Sequence, residues 1–320
     1  MIKIIDFESA RAAFSGIDPV VQYDWVDWCL RNRDAFQMPA KMRLAQNAGD
    51  YFACMPCMLE LEDVAIAKMI GRHVAGAARS GGPAMSSDIM VYEASTGRLK
   101  ALVDGEYLTT LRTGACAAHA GLLYSKKGFD TIGLIGLGNI MTACFDVLLA
   151  KTGNRPLTVK LYRHNRQEER FAARYAGRPG VTFEFKDNYC DVIGGSDLII
   201  SAVTRAEKDF CSDDAFMPGC TVIPIMTLGF QNCDLFFDRV FSDEIEQIRG
   251  FKYFDRFRSV ANTSDVLRGD KPGRTSDDER ILVYNYGLAL LDLYYASKLV
   301  EMCEGETIDY RMCSQKFFMV

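Results

Sequence analysis

Gly136-Leu137-Gly138 stands where a short apolar run, Thr131-Ile132-Gly133-Leu134-Ile135, gives way to a helical stretch from Asn139 to Lys151. Glycines at such a junction let the backbone turn tightly and approach a pyrophosphate. The helix behind them offers free N–H groups and the positive end of its dipole. The third glycine of the usual G-x-G-x-x-G is absent, because Met141 occupies its position. A dinucleotide site is expected on Gly136, Gly138, Asn139 and Ile140, with Ala202, Val203, Thr204 and Met226 as further cofactor contacts. After the next strand candidate, Leu157 to Tyr162, an acid would hold the ribose 2′-hydroxyl of NAD; here the chain reads Arg163-His164-Asn165-Arg166. Two guanidinium groups and an imidazole suit a 2′-phosphate, so NADP(H) is the expected cofactor and NAD(H) the alternative.

Lys68 lies in an apolar run (Val64, Ala65, Ile66, Ala67, Met69, Ile70) where a solvated lysine is out of place. An enclosed lysine works as an acid or base, or holds a fixed charge. His73 follows five residues later and is expected to face the same cleft, whereas His119 reads as a satisfied helix histidine. Cys54-Met55-Pro56-Cys57 has C-x-x-C spacing, but no second Cys/His pair accompanies it at zinc-ribbon spacing. No metal site is expected, and the eleven cysteines, odd in number and scattered, fit a reducing cytoplasm better than a disulfide framework.

A chain of 320 residues indicates two domains. With 49% hydrophobic and 25% charged residues it buries a sizeable core, and its net charge of −5 argues against a nucleic-acid surface. It has no apolar run long enough for a membrane span, and Asp6 and Glu8 stand where a signal peptide needs apolar residues. Asp88 to Glu93 and Leu99 to Val103 read as a hairpin, and Thr109 to Tyr124 as a helix. From Phe129 onward the pattern alternates: a helix at Arg166 to Tyr175, a strand at Thr182 to Phe185 and a buried strand at Asp197 to Val203, as in parallel βαβ units. Ser276 and Glu279 have capping-box spacing, and a helix is expected from about Arg280 to Glu301. The expected fold is α/β, with a Rossmann dinucleotide-binding domain at 129–293 and a discontinuous α+β domain at 1–128 and 294–320.

The chain resembles the ornithine cyclodeaminase/mu-crystallin family over nearly its whole length. The resemblance rests on Met55-Pro56 with Ala65 to Ile70; on Ser95-Thr96-Gly97, Ala101 to Gly105 and Leu108 to Ala115; on Ile135 to Gly138; and on Gly273-Arg274-Thr275 with Gly287-Leu288-Ala289 and Asp292. It implies a homodimer with a discontinuous substrate and dimerisation domain, and hydride transfer between a nicotinamide and an amino-acid Cα at the amine/imine level. It also implies that Arg43 meets the substrate carboxylate, that Lys68 stands near the reacting carbon, and that Arg112 is shared by substrate and cofactor. Thr113 and Gly114 match a turn against the cofactor phosphates, Ser86 a cofactor contact, and Gly287 a close backbone approach to the nicotinamide; Met55 is added as a substrate contact.

Two acids of the family's cyclodeaminases are missing. Leu228 takes the place of one, and Ala53 or a neighbour that of the other, with Asp234 or Asp88 as candidate substitutes. Leucine transfers no proton, and ammonia elimination needs several transfers. Hydride transfer to a preformed imine needs only positioning, a carboxylate anchor and one proton source, for which Lys68 and His73 are the candidates. The expected activity is an NAD(P)H-dependent imine or ketimine reductase or an opine-type amino-acid dehydrogenase. A cyclodeaminase-type ammonia lyase with a displaced acid, and an NADPH-binding protein without turnover, are the alternatives. The expected partners are a small amino acid, imine or keto acid and a second copy of the chain, with neither nucleic acid nor membrane.

Overall fold

The computed structural model describes residues 1–46, 50–74, 76, 79, 81–204, 206–225, 229–233, 235–311, 313 and 319. Met226, Leu228 and Asp234 lie outside the described residues. The chain forms two compact units. The first comprises Met1–Ile17, Asp34–Thr109 and Ala289–Val320; the second comprises Asp18–Arg33 and Thr110–Leu288.

The first unit is built on a mostly antiparallel sheet. Its strands run in the order Glu306–Ile308, Ile2–Ile5, Arg98–Asp104, Met85–Glu93, Val64–Arg72, Tyr51–Leu59 and Phe36–Gln37, and Met42–Ala45 also pairs with Tyr51–Leu59. The expected hairpin is there, as Met85–Glu93 against Arg98–Asp104. Side chains alternate between the two faces with a period of two. One face buries Ala53, Met55, Cys57, Leu59, Val64, Ile66, Ile70, Ile89 and Val91, and the helix Ala289–Met302 packs on these strands. Cys54 and Cys57 therefore point to opposite faces, the first half-buried and the second buried, which removes the C-x-x-C pair as a chelating or redox unit.

The second unit carries a wholly parallel sheet in the order Val181–Lys186, Leu157–Tyr162, Thr131–Ile135, Leu198–Ser201, Thr221–Pro224, Ile281–Tyr284, Arg239–Ser242 and Val260–Asn262. The strand order reverses between Thr131–Ile135 and Leu198–Ser201, a topological switch point of a doubly wound sheet. The fold is thus α/β, with a Rossmann-type nucleotide unit.

Three expectations about elements are corrected. Ile281–Tyr284 is a strand, not the start of a helix: this run of four apolar residues is buried on both faces between two parallel strands. The helix begins only at Ala289. Glu279 does bond back, accepting from Thr275 N at 2.8 Å and Ser276 N at 3.4 Å, but the turn it closes leads into that strand. Finally, the helix Pro19–Arg31 and residues 110–128 cluster with the nucleotide unit, because Pro19–Arg31 packs on the helices Asn139–Thr152 and Thr263–Arg268.

Candidate functional site: a dinucleotide cleft and a buried lysine–carboxylate pair

In the nucleotide unit, the strand Thr131–Ile135 ends at Gly136, whose φ of +83° lies in the left-handed region. A Cβ there would stand 2.8 Å from the Ala202 carbonyl carbon and 2.9 Å from Val203 N, so only glycine lets the two strand ends approach. Gly138 caps the helix Asn139–Thr152 and has nothing within 4 Å of where a Cβ would be, which leaves open space in front of the helix N-terminus. Beside this turn, at the switch point, a cavity of about 460 Å³ is lined by Gly136, Leu137, Gly138, Tyr162, His164, Gln167, Tyr189, Ala202, Val203 and Thr204. The residues fit a dinucleotide: a glycine turn, a free helix end, and Tyr162 and Tyr189 with ring centroids 4.1 Å apart in the wall.

Of the expected cofactor residues, Gly136, Gly138, His164, Ala202, Val203 and Thr204 meet in this cavity, while Asn139, Ile140, Arg163, Asn165 and Arg166 do not line it. Arg163 is paired with Asp187 at 3.3 Å and Arg166 with Glu169 at 2.8 Å. Asn165 and Arg166 both have positive φ, and the buried Glu168 carboxylate accepts from His164 N at 3.0 Å, which fixes the loop. Tyr162, Gln167 and Tyr189 were not anticipated. Tyr162 was within reach, because it closes the strand before Arg163.

Thr113 and Gly114 do not form a turn. Both lie within the helix Glu106–Tyr124, and a Cβ on Gly114 would stand 2.6 Å from Ala143 Cβ and Cys144 N. That glycine lets two helices of the nucleotide unit touch. Arg112 is buried, and its Nη1 lies 3.0 Å from where a Cβ on Gly287 would be, at a residue with φ +95°. The Gly287 turn is held from two sides: its N–H donates to Asp243 Oδ2 at 2.8 Å, and its carbonyl accepts from Gln247 Nε2 at 2.9 Å. Burial pushes the Asp243 carboxyl up to about 6, although the N–H groups of Gly287, Tyr286 and Glu244 and the Arg112 guanidinium all favour its charged form. Asp243 escaped the sequence reading, since no spacing ties it to Gly287.

In the first unit, Lys68 Nζ donates to Asp292 Oδ1 at 2.7 Å and to Thr109 Oγ1 at 2.5 Å, and both charged side chains are 0% exposed. Strand register puts Met55, Lys68 and Ile89 side by side on the helix-covered face. Arg43 pairs in register with Ala53, and Ala53 with Ile70, so the next row on that same face carries Arg43. The Arg43 guanidinium is exposed and lies 4.1 Å from the Tyr51 ring centroid.

The two-residue period separates other candidates from Lys68. His73 packs edge-on against Phe52 at 4.8 Å, and Phe52 stands in register with Gly71 on the opposite face. An odd spacing of five along an extended strand cannot bring His73 to Lys68. Ser86 and Asp88 point the same way as Gly71, away from the lysine. Ser87 is the serine on the lysine face; it is buried, and its Oγ has no hydrogen-bond partner among the described residues. The acid beside Lys68 is Asp292, not Asp88. His119 is buried against Asp27, its Nε2 2.9 Å from Oδ1, as a structural helix histidine.

No group of three His, Cys, Asp or Glu among the described residues is arranged to hold a metal, and no described helix is long and apolar enough to cross a membrane. A Rossmann-type unit with a glycine turn, joined in one chain to a unit with a buried ammonium–carboxylate pair, defines a nucleotide-dependent α/β protein. The sequence matches the ornithine cyclodeaminase/mu-crystallin family over residues 16–306, and the chain belongs to that family. The nodulation efficiency protein NfeD of Rhizobium meliloti is 23% identical over 278 residues, 84% of this chain and 85% of its own length. The iminosuccinate reductase of Paracoccus denitrificans is 27% identical over 236 residues, 69% of this chain and 72% of its own length. An archaeal alanine dehydrogenase dimer with bound NAD superposes with a TM-score of 0.82 over 97% of this chain and 99% of that one, at 20% identity.

Proposed function

We propose that the protein is an NAD(P)H-dependent oxidoreductase that reduces the carbon–nitrogen double bond of an imine or ketimine derived from an amino acid, or forms an opine-type secondary amine from a keto acid and an amine. The observation that carries this reading is the Lys68–Asp292 pair in a chain with a dinucleotide cleft. The similarity to iminosuccinate and Δ1-pyrroline-2-carboxylate reductases supports it. When bound, the nicotinamide supplies the hydride. Lys68 Nζ holds a proton against Asp292 and delivers it to the imine nitrogen, and Arg43, on the same sheet face, suits the substrate carboxylate as a planar fork. Arg112 fixes a positive charge beside the Gly287 turn. Ala53, beside Arg43 in the register, is apolar and transfers no proton, which argues against ammonia elimination.

NADP(H) is the preferred cofactor in this reading, since residues 163–166, directly after Tyr162, include no acid. A cytoplasmic location fits the cysteine pattern. A homodimer fits the half-exposed apolar row Pro56, Ala67, Met90 and Leu102, which crosses four strands on the face away from Lys68. Net NADPH oxidation with a cyclic ketimine, or with a keto acid plus an amine, tests the activity. Ammonia release from ornithine or lysine without net reduction refutes it.

A further inference from the structure

The main cleft continues, across Leu137, Gly138 and Gln167, into a second cavity of about 280 Å³ whose remaining walls are Thr142, Arg170, Phe171 and Arg174. Four of these seven residues come from the helix Gln167–Arg174. Positions 167, 170, 171 and 174 recur at one-turn spacing, so they share one face. Phe171 is buried and anchors that face, while Arg170 and Arg174 reach the rim. The opposite wall is the glycine turn and the first turn of the helix behind it, with Thr142.

The cations near the cleft differ in what they already hold. Arg163 faces Asp187, Arg166 faces Glu169, and Arg174 faces Asp146 at 3.3 Å. The Arg170 side chain makes no hydrogen bond or ion pair among the described residues. Its charge is therefore uncommitted and borders a cavity open to a helix N-terminus, an arrangement suited to a dianionic phosphate. In a doubly wound nucleotide site the ribose 2′ position lies at the end of the second strand, here Tyr162, beside His164 and Gln167. A 2′-substituent leaving that point toward Gln167 enters the second cavity.

We propose that this cavity is the 2′-phosphate subsite and that Arg170, rather than the Arg163–Arg166 loop, sets the preference for NADP(H). The proposal rests on the cofactor reading above. The test is equilibrium binding of NADPH, NADH, 2′,5′-ADP and 5′-AMP to wild-type protein and to the Arg170→Gln, Arg163→Gln and Arg166→Gln variants, without substrate. Loss of one charge-assisted contact should raise the Arg170→Gln dissociation constants for NADPH and 2′,5′-ADP about 10- to 100-fold, with those for NADH and 5′-AMP changed less than about threefold. A wild-type preference that survives Arg170→Gln but is lost in Arg163→Gln or Arg166→Gln overturns the subsite while leaving NADP(H) as the cofactor. Wild-type protein that binds NADH as tightly as NADPH overturns the cofactor reading itself. A loss of NADH affinity equal to that of NADPH in Arg170→Gln also overturns the subsite, because the arginine would then serve the shared part of the nucleotide.

Discussion

Asp292→Asn removes the negative partner of Lys68 with almost no change in shape. At 2.7 Å, and an effective dielectric constant of about 20, the attraction between the two charges is about 6 kcal/mol. Burying both charges costs several kcal/mol each, so the intact pair adds little net stability. The asymmetry lies in breaking it. Lys68 is 0% exposed, and its hydrogen bond to the neutral Thr109 hydroxyl does not replace a carboxylate's charge. Asp292→Asn should therefore cost about 3–5 kcal/mol in urea unfolding near pH 7, unless Lys68 sheds its proton. The first outcome leaves the ammonium without its anchoring carboxylate and the second takes its proton, so NADPH-dependent imine reduction should fall by at least about 100-fold in both. The double variant Lys68→Met/Asp292→Leu separates fold from chemistry. It fills the site with apolar side chains and should recover stability to within about 1 kcal/mol of wild type or exceed it, while turnover stays absent. NADPH affinity, measured by nucleotide fluorescence, should change less than about threefold in both variants. Asp292→Asn with wild-type stability and turnover would refute the assignment of Lys68 as a charge held by Asp292. A double variant that still reduces imines would remove Lys68 from the proton transfer.

Asp243 provides a pH test in the nucleotide unit. Its carboxyl is raised from 3.8 to about 6, so the folded state binds a proton more tightly than the unfolded chain. The resulting stability is fully present below about pH 4 and is lost as pH rises through 6, a change of about 3 kcal/mol. Asp243→Asn should flatten that segment of a stability–pH profile, and an unchanged slope would show that the titrating group lies elsewhere. Asp27 has the opposite sign. The hydrogen bond from His119, followed by that from Arg31, holds it at about 2 against burial, so its contribution is present above about pH 4 and lost as pH falls through 2. In His119→Ala the Asp27 carboxyl should move back toward 3.8, so the stability lost between about pH 4 and pH 2 should shrink; a profile that matches wild type would remove His119 as its partner. Gly136→Ala puts a methyl group 2.8 Å from the Ala202 carbonyl carbon at a φ of +83°, and should cost about 1–3 kcal/mol and abolish nucleotide binding. Retained NADPH affinity in this variant would mean that the glycine turn does not face the cofactor.

The nucleotide unit was legible because its signals are local. The strand Leu157–Tyr162 is bounded as its apolar alternation indicates, and the helix Asn139–Thr152 starts where the glycine turn ends. The misreading at Ile281–Tyr284 has a physical cause. A short apolar run buried on both faces has no alternation, and an adjoining apolar helix absorbs it into one longer pattern. The substrate-type unit was less legible because a strand's meaning depends on parity. A shift of one residue exchanges Ser86 for Ser87; His73, five residues on, and Asp88, in register with Met69, both fall on the face away from Lys68.

Burial partners are a harder problem than faces. Lys68 in its apolar run announces a buried charge, but the carboxylate paired with it comes from 224 residues away. Read locally, Asp292 is an acid in the first turn of a helix, where the dipole alone explains it. A dipole explanation fits an acid turned to solvent. It does not fit one with a relative exposure of 0%, because burial without a cation would drive the carboxyl to its neutral form. The two anomalies, a lysine among aliphatic residues and a carboxylate with no solvent, resolve only as one pair. Such a pair contributes little to folding that leucine and methionine would not supply. In the proposed reaction its use is the proton it holds rather than the stability it confers.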